Sequence, residues 1–266
     1  VRRLLENGAN SSFINRLLDP ETDSKWLAEN PLIRLKKETK EIPLPKDIFN
    51  ERKNSSGYDL SEDEDLKKLK SGLAKFENSL VDAKSIYVGR LESSTSSRKA
   101  ISVANNKLIG SVTFDDPTNI ENALTNKSEL KWNNFSVDER SKVLQDIANH
   151  IEKEPNQLIF YLINEAGKTI QNAIDEIREA VDFLRYYSQQ INEITRNNEL
   201  EGPTGEKNNI SYSDKGRFLC ISPWNFPVAI LIGQISAALA CGNNVLIKPS
   251  EHTSILGYLV VKIFHK

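Results

Sequence analysis

Phe218-Leu219-Cys220-Ile221-Ser222-Pro223-Trp224-Asn225-Phe226-Pro227 and, further on, Val245-Leu246-Ile247-Lys248-Pro249-Ser250-Glu251 decide the fold. Each stretch opens with a short apolar run and breaks into polar, proline-bearing residues. Between them, residues 228–240 are rich in Ile, Leu and Ala and close on Gly242-Asn243, the pattern of a buried helix and its terminating turn. Thr253 begins another helix. Strand, helix, strand, helix at this spacing is a βαβ unit, and strands apolar throughout suit a parallel sheet covered on both faces. The fold class is α/β.

Open parallel sheets bind ligands at the carboxyl ends of their strands. Both polar clusters fall there: Trp224 and Asn225 after the first strand, Lys248 and Glu251 after the second. In dinucleotide folds an acidic residue just past the second strand, about twenty residues beyond the first turn, holds a ribose hydroxyl. Glu251 suits that role, with Lys248 as donor to the same ribose or as a balance for phosphate charge, although no G-x-G-x-x-G follows the first strand. A surface ion pair between Lys248 and Glu251 is the competing reading. Asn225, between two aromatic residues, reads either as an oxyanion donor or as a cap for the next helix.

Working towards the amino terminus, Thr169 caps a long helix whose apolar face is Ile170, Ala173, Ile174, Ile177, Ala180, Val181 and Leu184. Pro155 opens the helix before it and Gly167 closes that one. Ser136 with Glu139 is a capping box ahead of Val143, Leu144, Ile147, Ala148 and Ile151. Ile101–Val103 and Leu108–Val112 around Asn105-Asn106 predict a short hairpin, and the polar run Ser93–Ser97 a surface loop. A second capping box, Ser61 with Glu64, precedes an amphipathic helix through Leu66, Leu69, Leu73, Phe76 and Leu80. Residues 19–60 are irregular, with Ile42, Leu44, Ile48 and Phe49 expected to find local cover. Val1–Leu18 is expected to be helical.

The chain has 266 residues, 38% hydrophobic and 27% charged, with a net charge of −2. That balance describes a soluble globular protein without a basic footprint, so nucleic acid is not an expected partner. Only Cys220 and Cys241 occur, both in apolar surroundings, which argues against a disulfide framework or a metal site and suits a reducing, cytoplasmic compartment. No transmembrane segment or signal peptide is expected. Methionine is absent, and the chain starts and stops within helical patterns. A piece of a longer polypeptide or the product of a split gene is therefore expected, with a non-standard start codon as the alternative.

The string Ile221-Ser222-Pro223-Trp224-Asn225-Phe226-Pro227, then Gly233, Ala237-Ala238-Leu239-Ala240, Gly242-Asn243 and Lys248-Pro249-Ser250-Glu251, resembles the amino-terminal signature of aldehyde dehydrogenases. Glu165-Ala166-Gly167-Lys168-Thr169 and Asp182-Phe183-Leu184-Arg185-Tyr186-Tyr187 match that family's leading helices. Gly202-Pro203-Thr204-Gly205-Glu206-Lys207-Asn208, Ile42-Pro43-Leu44-Pro45-Lys46-Asp47 and Asn54–Leu60 are similar to the proline utilization A family. The opening Val1–Phe13 resembles the last helix of that family's proline dehydrogenase barrel.

The resemblance implies an NAD-binding, Rossmann-like domain. Residues 1–30 would end a proline dehydrogenase barrel, 31–90 form a linker with one amphipathic helix, and 91–266 open an aldehyde dehydrogenase domain. It implies that Asn225 is the oxyanion amide and that Lys248 and Glu251, with Ser222 and Trp224, hold NAD. Arg2 and Arg3 would bind the proline carboxylate, with Glu6 fixing an arginine; guanidinium–carboxylate pairing suits that role, whereas the residues alone also read as an exposed helical pair. The parent would oxidise proline with FAD, then glutamate semialdehyde to glutamate with NAD. It would form a homo-oligomer through strands between about Asn197 and Ser213. Cys220 and Cys241 are not its nucleophile, which with the general base would follow Lys266. The alternative is an inactive remnant serving at most as an assembly surface.

Overall fold

Residue contacts divide the chain into two units, 1–44 and 45–266. The computed structural model describes residues 17–30, 32–33, 43–87, 94–125, 132–196 and 199–266. Arg2, Arg3, Glu6 and most of the helix expected over Val1–Leu18 lie outside the described residues. In the first unit helix α1 (Ser24–Ala28) is capped by Asp23, which accepts from the Lys25 amide.

The second unit begins with a single 3-10 turn, Pro45–Asp47. Ile48 and Phe49 stay 55% and 45% exposed, and of the two Phe49 gains local cover from the Arg52 guanidinium, 3.9 Å from its ring centroid. Residues 55 and 56 are strapped to distant helices instead: the Ser55 amide donates to Asp182 at 2.7 Å and the Ser56 amide to Glu152 at 2.9 Å. Helix α2 (Asp63–Ala74) buries Leu69. Its expected capping box is absent. Glu62 occupies the cap position without a side-chain bond, and the Ser61 hydroxyl turns back to Asp59 at 2.7 Å.

Three strands then form a mixed sheet in the order β1-β3-β2. β1 (Val81–Ala83), within the stretch read as a linker, runs parallel to β3 (Leu108–Asp115), and β2 (Ser94–Ile101) runs antiparallel to it. The polar run is thus an edge strand and not a loop. Edge strands bond through their backbone and need no apolar side chains on their open side. Helix α3 (Pro117–Thr125) follows.

The three central helices form as their caps predict. α4 (Val137–Lys153) carries the complete Ser136–Glu139 box. α5 (Asn156–Asn164) ends at Gly167, whose φ of 71° lets the Lys168 amide reach back to Leu162 O at 3.0 Å. α6 (Ile170–Arg196) starts with the Asn172 amide on Thr169 Oγ1. Their apolar faces meet in one core around Leu144, Ile151, Leu162, Ile174 and Leu184.

After a two-residue antiparallel pair, β4 (Glu199–Leu200) with β5 (Asn208–Asn209), the expected βαβ unit appears. β6 (Arg217–Ile221) runs parallel to β7 (Asn244–Lys248), joined by α7 (Ala229–Ala240), and α8 (Ser254–Phe264) follows. The expectation that both strands are buried fails: no residue of β7 is fully buried, and in β6 only Cys220 is. Cys220 is covered, but Phe218, Leu219 and Ile221 are 43%, 60% and 54% exposed. α7 lies against one face of the pair, and two strands leave the other face without cover among the described residues. No described helix is long and apolar enough to cross a membrane, and no group of potential metal ligands occurs among the described residues.

Candidate functional site

The parallel ladder ends with Ile221 opposite Lys248, and the Ser222 amide donates to Lys248 O at 3.3 Å. The carboxyl ends of β6 and β7 therefore share one rim, with the loop bearing Trp224 and Asn225 leaving from one strand and the turn bearing Glu251 from the other. Asn243, buried before β7, fixes the opposite end by accepting from the Lys215 and Gly216 amides at 2.6 and 3.1 Å.

Both helices that leave this rim begin without a conventional local cap. At α7 the cap position is Val228. The carboxylate of Glu176, from α6, takes its place: Oε1 accepts from the Val228 and Ala229 amides at 2.8 and 3.2 Å. Lys168 Nζ neutralises the other oxygen at 2.5 Å and lies 3.9 Å from the centroid of the Phe226 ring. At α8 the carboxylate of Glu165 accepts from the Ile255 and Leu256 amides at 2.8 and 2.9 Å. Burial pushes the Glu165 carboxyl up to about 7, against the pull of those two donors.

These two carboxylates narrow the alternatives left by the sequence. Glu176 caps α7, so Asn225 is not spent as its cap; its side chain is exposed and forms no hydrogen bond among the described residues. Glu251 and Lys248 form no ion pair. Among the described residues the Glu251 carboxylate meets the His252 imidazole at 3.8 Å, and Lys248 is exposed. The Glu251 turn is instead held through its backbone, with Arg98 of β2 donating to Glu251 O at 2.7 Å.

Ser222 is buried and its hydroxyl has no partner among the described residues, an orphaned polar atom at the strand end. Trp224 is 58% exposed on the same loop. The exposed Glu251 carboxylate and Lys248 ammonium at this rim are an acceptor and a donor of the kind a ribose diol takes. Cys220, by contrast, is buried in β6, and burial raises its thiol above its ordinary value, the reverse of what a nucleophile needs. Arg2, Arg3 and Glu6 lie outside the described residues.

Sequence reasoning quoted Glu165 and Lys168 only as parts of a motif and gave Glu176 no role. A signal was present: Glu176 stands among Ala173, Ile177 and Ala180 on the buried face of α6, where a carboxylate must have a compensating partner.

The profile of the aldehyde dehydrogenase family matches residues 91–266, and the chain belongs to that family. Within it, the chain is 38% identical over 273 residues to the Bifunctional protein PutA of Salmonella typhimurium, a match covering 96% of this chain and 20% of the relative. It is 33% identical over 159 residues to 1-pyrroline-5-carboxylate dehydrogenase 1 of Halalkalibacterium halodurans, covering 59% of this chain and 31% of that protein. Among solved structures, proline utilization A from Bdellovibrio bacteriovorus inactivated by N-propargylglycine superposes with a TM-score of 0.77 at 26% identity, covering 99% of this chain and 28% of that one. The chain thus spans about a fifth of the length of its PutA relatives (20%).

Proposed function

We propose that the chain is the opening part of the dehydrogenase domain in a bifunctional proline-catabolic enzyme, which oxidises proline with FAD and then glutamate semialdehyde to glutamate with NAD. The similarity to PutA and to a pyrroline-5-carboxylate dehydrogenase supports the substrate class. The observation that carries the site is the unspent Asn225 amide at the carboxyl end of β6, left free because Glu176 caps the following helix.

In this reading Asn225 Nδ2 donates to the substrate oxygen as a thiolate from elsewhere in the domain attacks the aldehyde carbon and negative charge collects on that oxygen. Glu251 accepts from the adenosine ribose of NAD, Lys248 donates to it, and Ser222 and Trp224 line the same end of the cofactor. NAD, when bound, supplies the acceptor for the hydride leaving the substrate carbon. Arg2, Arg3 and Glu6 belong to the proline site of the first activity. The β4–β5 hairpin, with Leu200 exposed beside it, is the proposed surface for pairing with a second copy.

Asn225→Ala in the full-length enzyme tests the reading. Turnover of glutamate semialdehyde falls by about one to two orders of magnitude with NAD binding retained; unchanged turnover refutes the assignment.

A further inference from the structure

We propose that Lys168 and Glu176 are a positioning pair for Asn225, holding the loop that carries it from two sides at once; the inference rests on the oxyanion role given to Asn225 above. The Glu176 side chain is completely buried in α6, where its neighbours Ala173, Ile177 and Ala180 are apolar and buried. Packing alone asks for no charge there, and an isolated buried carboxylate is strongly disfavoured. Both oxygens are instead committed, Oε1 to the Val228 and Ala229 amides and Oε2 to the Lys168 ammonium.

A capping function accounts for Oε1. It does not account for the ammonium, which comes from the turn after α5, is only 11% exposed at its side chain, and faces the ring of the residue next to Asn225. The cation meets the electron-rich face of Phe226 at 3.9 Å. Residues 226–229 are therefore gripped through a ring at one end and two amides at the other, and a single ion pair joins the two grips. The loop has no local device to do this: Val228 offers no side-chain cap. Its conformation is imposed from α6 and from the turn before it. An amide that stabilises developing charge is effective in proportion to how little it must reorganise. Pinning the backbone immediately after Asn225 supplies that preorganisation without any contact between the pair and the reacting atoms.

The first experiment is amide hydrogen exchange on the full-length enzyme, comparing wild type with Glu176→Gln and with the double variant Lys168→Met/Glu176→Gln. The double variant leaves no unpaired buried charge and so keeps the fold. In both variants the segment 224–229 exchanges at least tenfold faster, while Leu158–Leu162 in α5 stays within twofold of wild type. An unchanged loop overturns the proposal, and so does equal acceleration in α5, which would make the pair a general core contact. The second experiment uses the full-length enzyme. The double variant lowers kcat about tenfold with KM for NAD unchanged, and Lys168→Arg, which keeps the cation, recovers most of the loss. If Asn225→Ala lowers kcat and the double variant does not, the positioning role is wrong and the oxyanion role stands. If Asn225→Ala has no effect, the oxyanion reading fails, and with it the purpose assigned to the pair, whatever the exchange data show.

Discussion

The Glu165 carboxylate receives the Ile255 amide at 2.8 Å across ninety residues of chain, joining the end of α5 to the start of α8. Burial raises this carboxyl from 4.5 to about 7. In the unfolded chain the proton leaves near the ordinary value; in the folded chain it is held to near neutrality. Between those values the native state binds more protons, so stability falls as pH rises through the window and levels off above it. The full excursion is about 3 kcal/mol. Glu165→Gln removes the titration, so denaturant unfolding at several pH values between 5 and 8 gives a flatter profile for the variant. Parallel profiles would show that Glu165 does not titrate there.

Arg98 connects that carboxylate to the rim at the carboxyl ends of β6 and β7. Its guanidinium donates to Glu251 O and its charge also pulls the Glu165 carboxyl down. Arg98→Ala loosens the Glu251 turn and removes the favourable charge. The loss of stability between pH 5 and 8 then extends to higher pH, and in the full-length enzyme the Kd for NAD rises about threefold to tenfold, the scale of one ordinary hydrogen bond. Unfolding curves and cofactor titration measure the two effects separately; an unaltered Kd would detach Arg98 from the rim.

The strap at residues 55 and 56 has the opposite pH sign. Burial raises the Glu152 carboxyl, but hydrogen bonds from Arg185 and the Ser56 backbone outweigh it, and the net shift is downward. Its contribution is present above the ordinary carboxylate range and is lost as pH falls through the lowered value. The Glu152 side chain is half-buried, 28% exposed, so solvent screens the pair only in part and Glu152→Ala costs on the order of 1–2 kcal/mol at neutral pH. The difference between variant and wild type shrinks on acidification below about pH 4. Exchange at the Ser56 amide, which donates to Glu152, rises in the variant, while the Ser55 amide keeps Asp182; unchanged protection at Ser56 would contradict the strap.

Sequence order made the βαβ unit and the helices α4 to α6 legible because their signals are local. Ser136 and Glu139 are three residues apart, Thr169 and Asn172 likewise, and Gly167 declares the end of α5 by its own φ. What escaped was settled by backbone pairing, by a competing neighbour or at a distance. β2 is polar and bonds through its backbone to β3, so no hydrophobic pattern marks it. Ser61 and Glu64 have the spacing of a capping box, yet Asp59 competes for the Ser61 hydroxyl and wins. The sequence around Asn225 reads equally as a cap or as a free amide, and the decision lies with Glu176, 52 residues before the Val228 amide it holds.

Gly257 offers the most direct test of how the rim is held in place. A Cβ built on it stands 2.5 Å from Pro249 Cβ and 2.6 Å from Pro249 Cγ, well inside van der Waals contact. The proline ring is rigid and follows Lys248 directly, so it cannot yield without moving the strand end. Either α8 retreats from the ladder or the segment Lys248–Glu251 shifts. Overpacking of this kind costs about 1–3 kcal/mol, offset slightly by the better helix propensity of alanine. Gly257→Ala is therefore expected to lower the melting temperature and, in the full-length enzyme, to weaken NAD binding more than Gly233→Ala does. At Gly233 the nearest atom is the Phe183 ring at 3.2 Å, a side chain that can give by a few tenths of an ångström. Equal effects of the two substitutions on NAD affinity would mean that the turn after β7 is not set by the approach of α8.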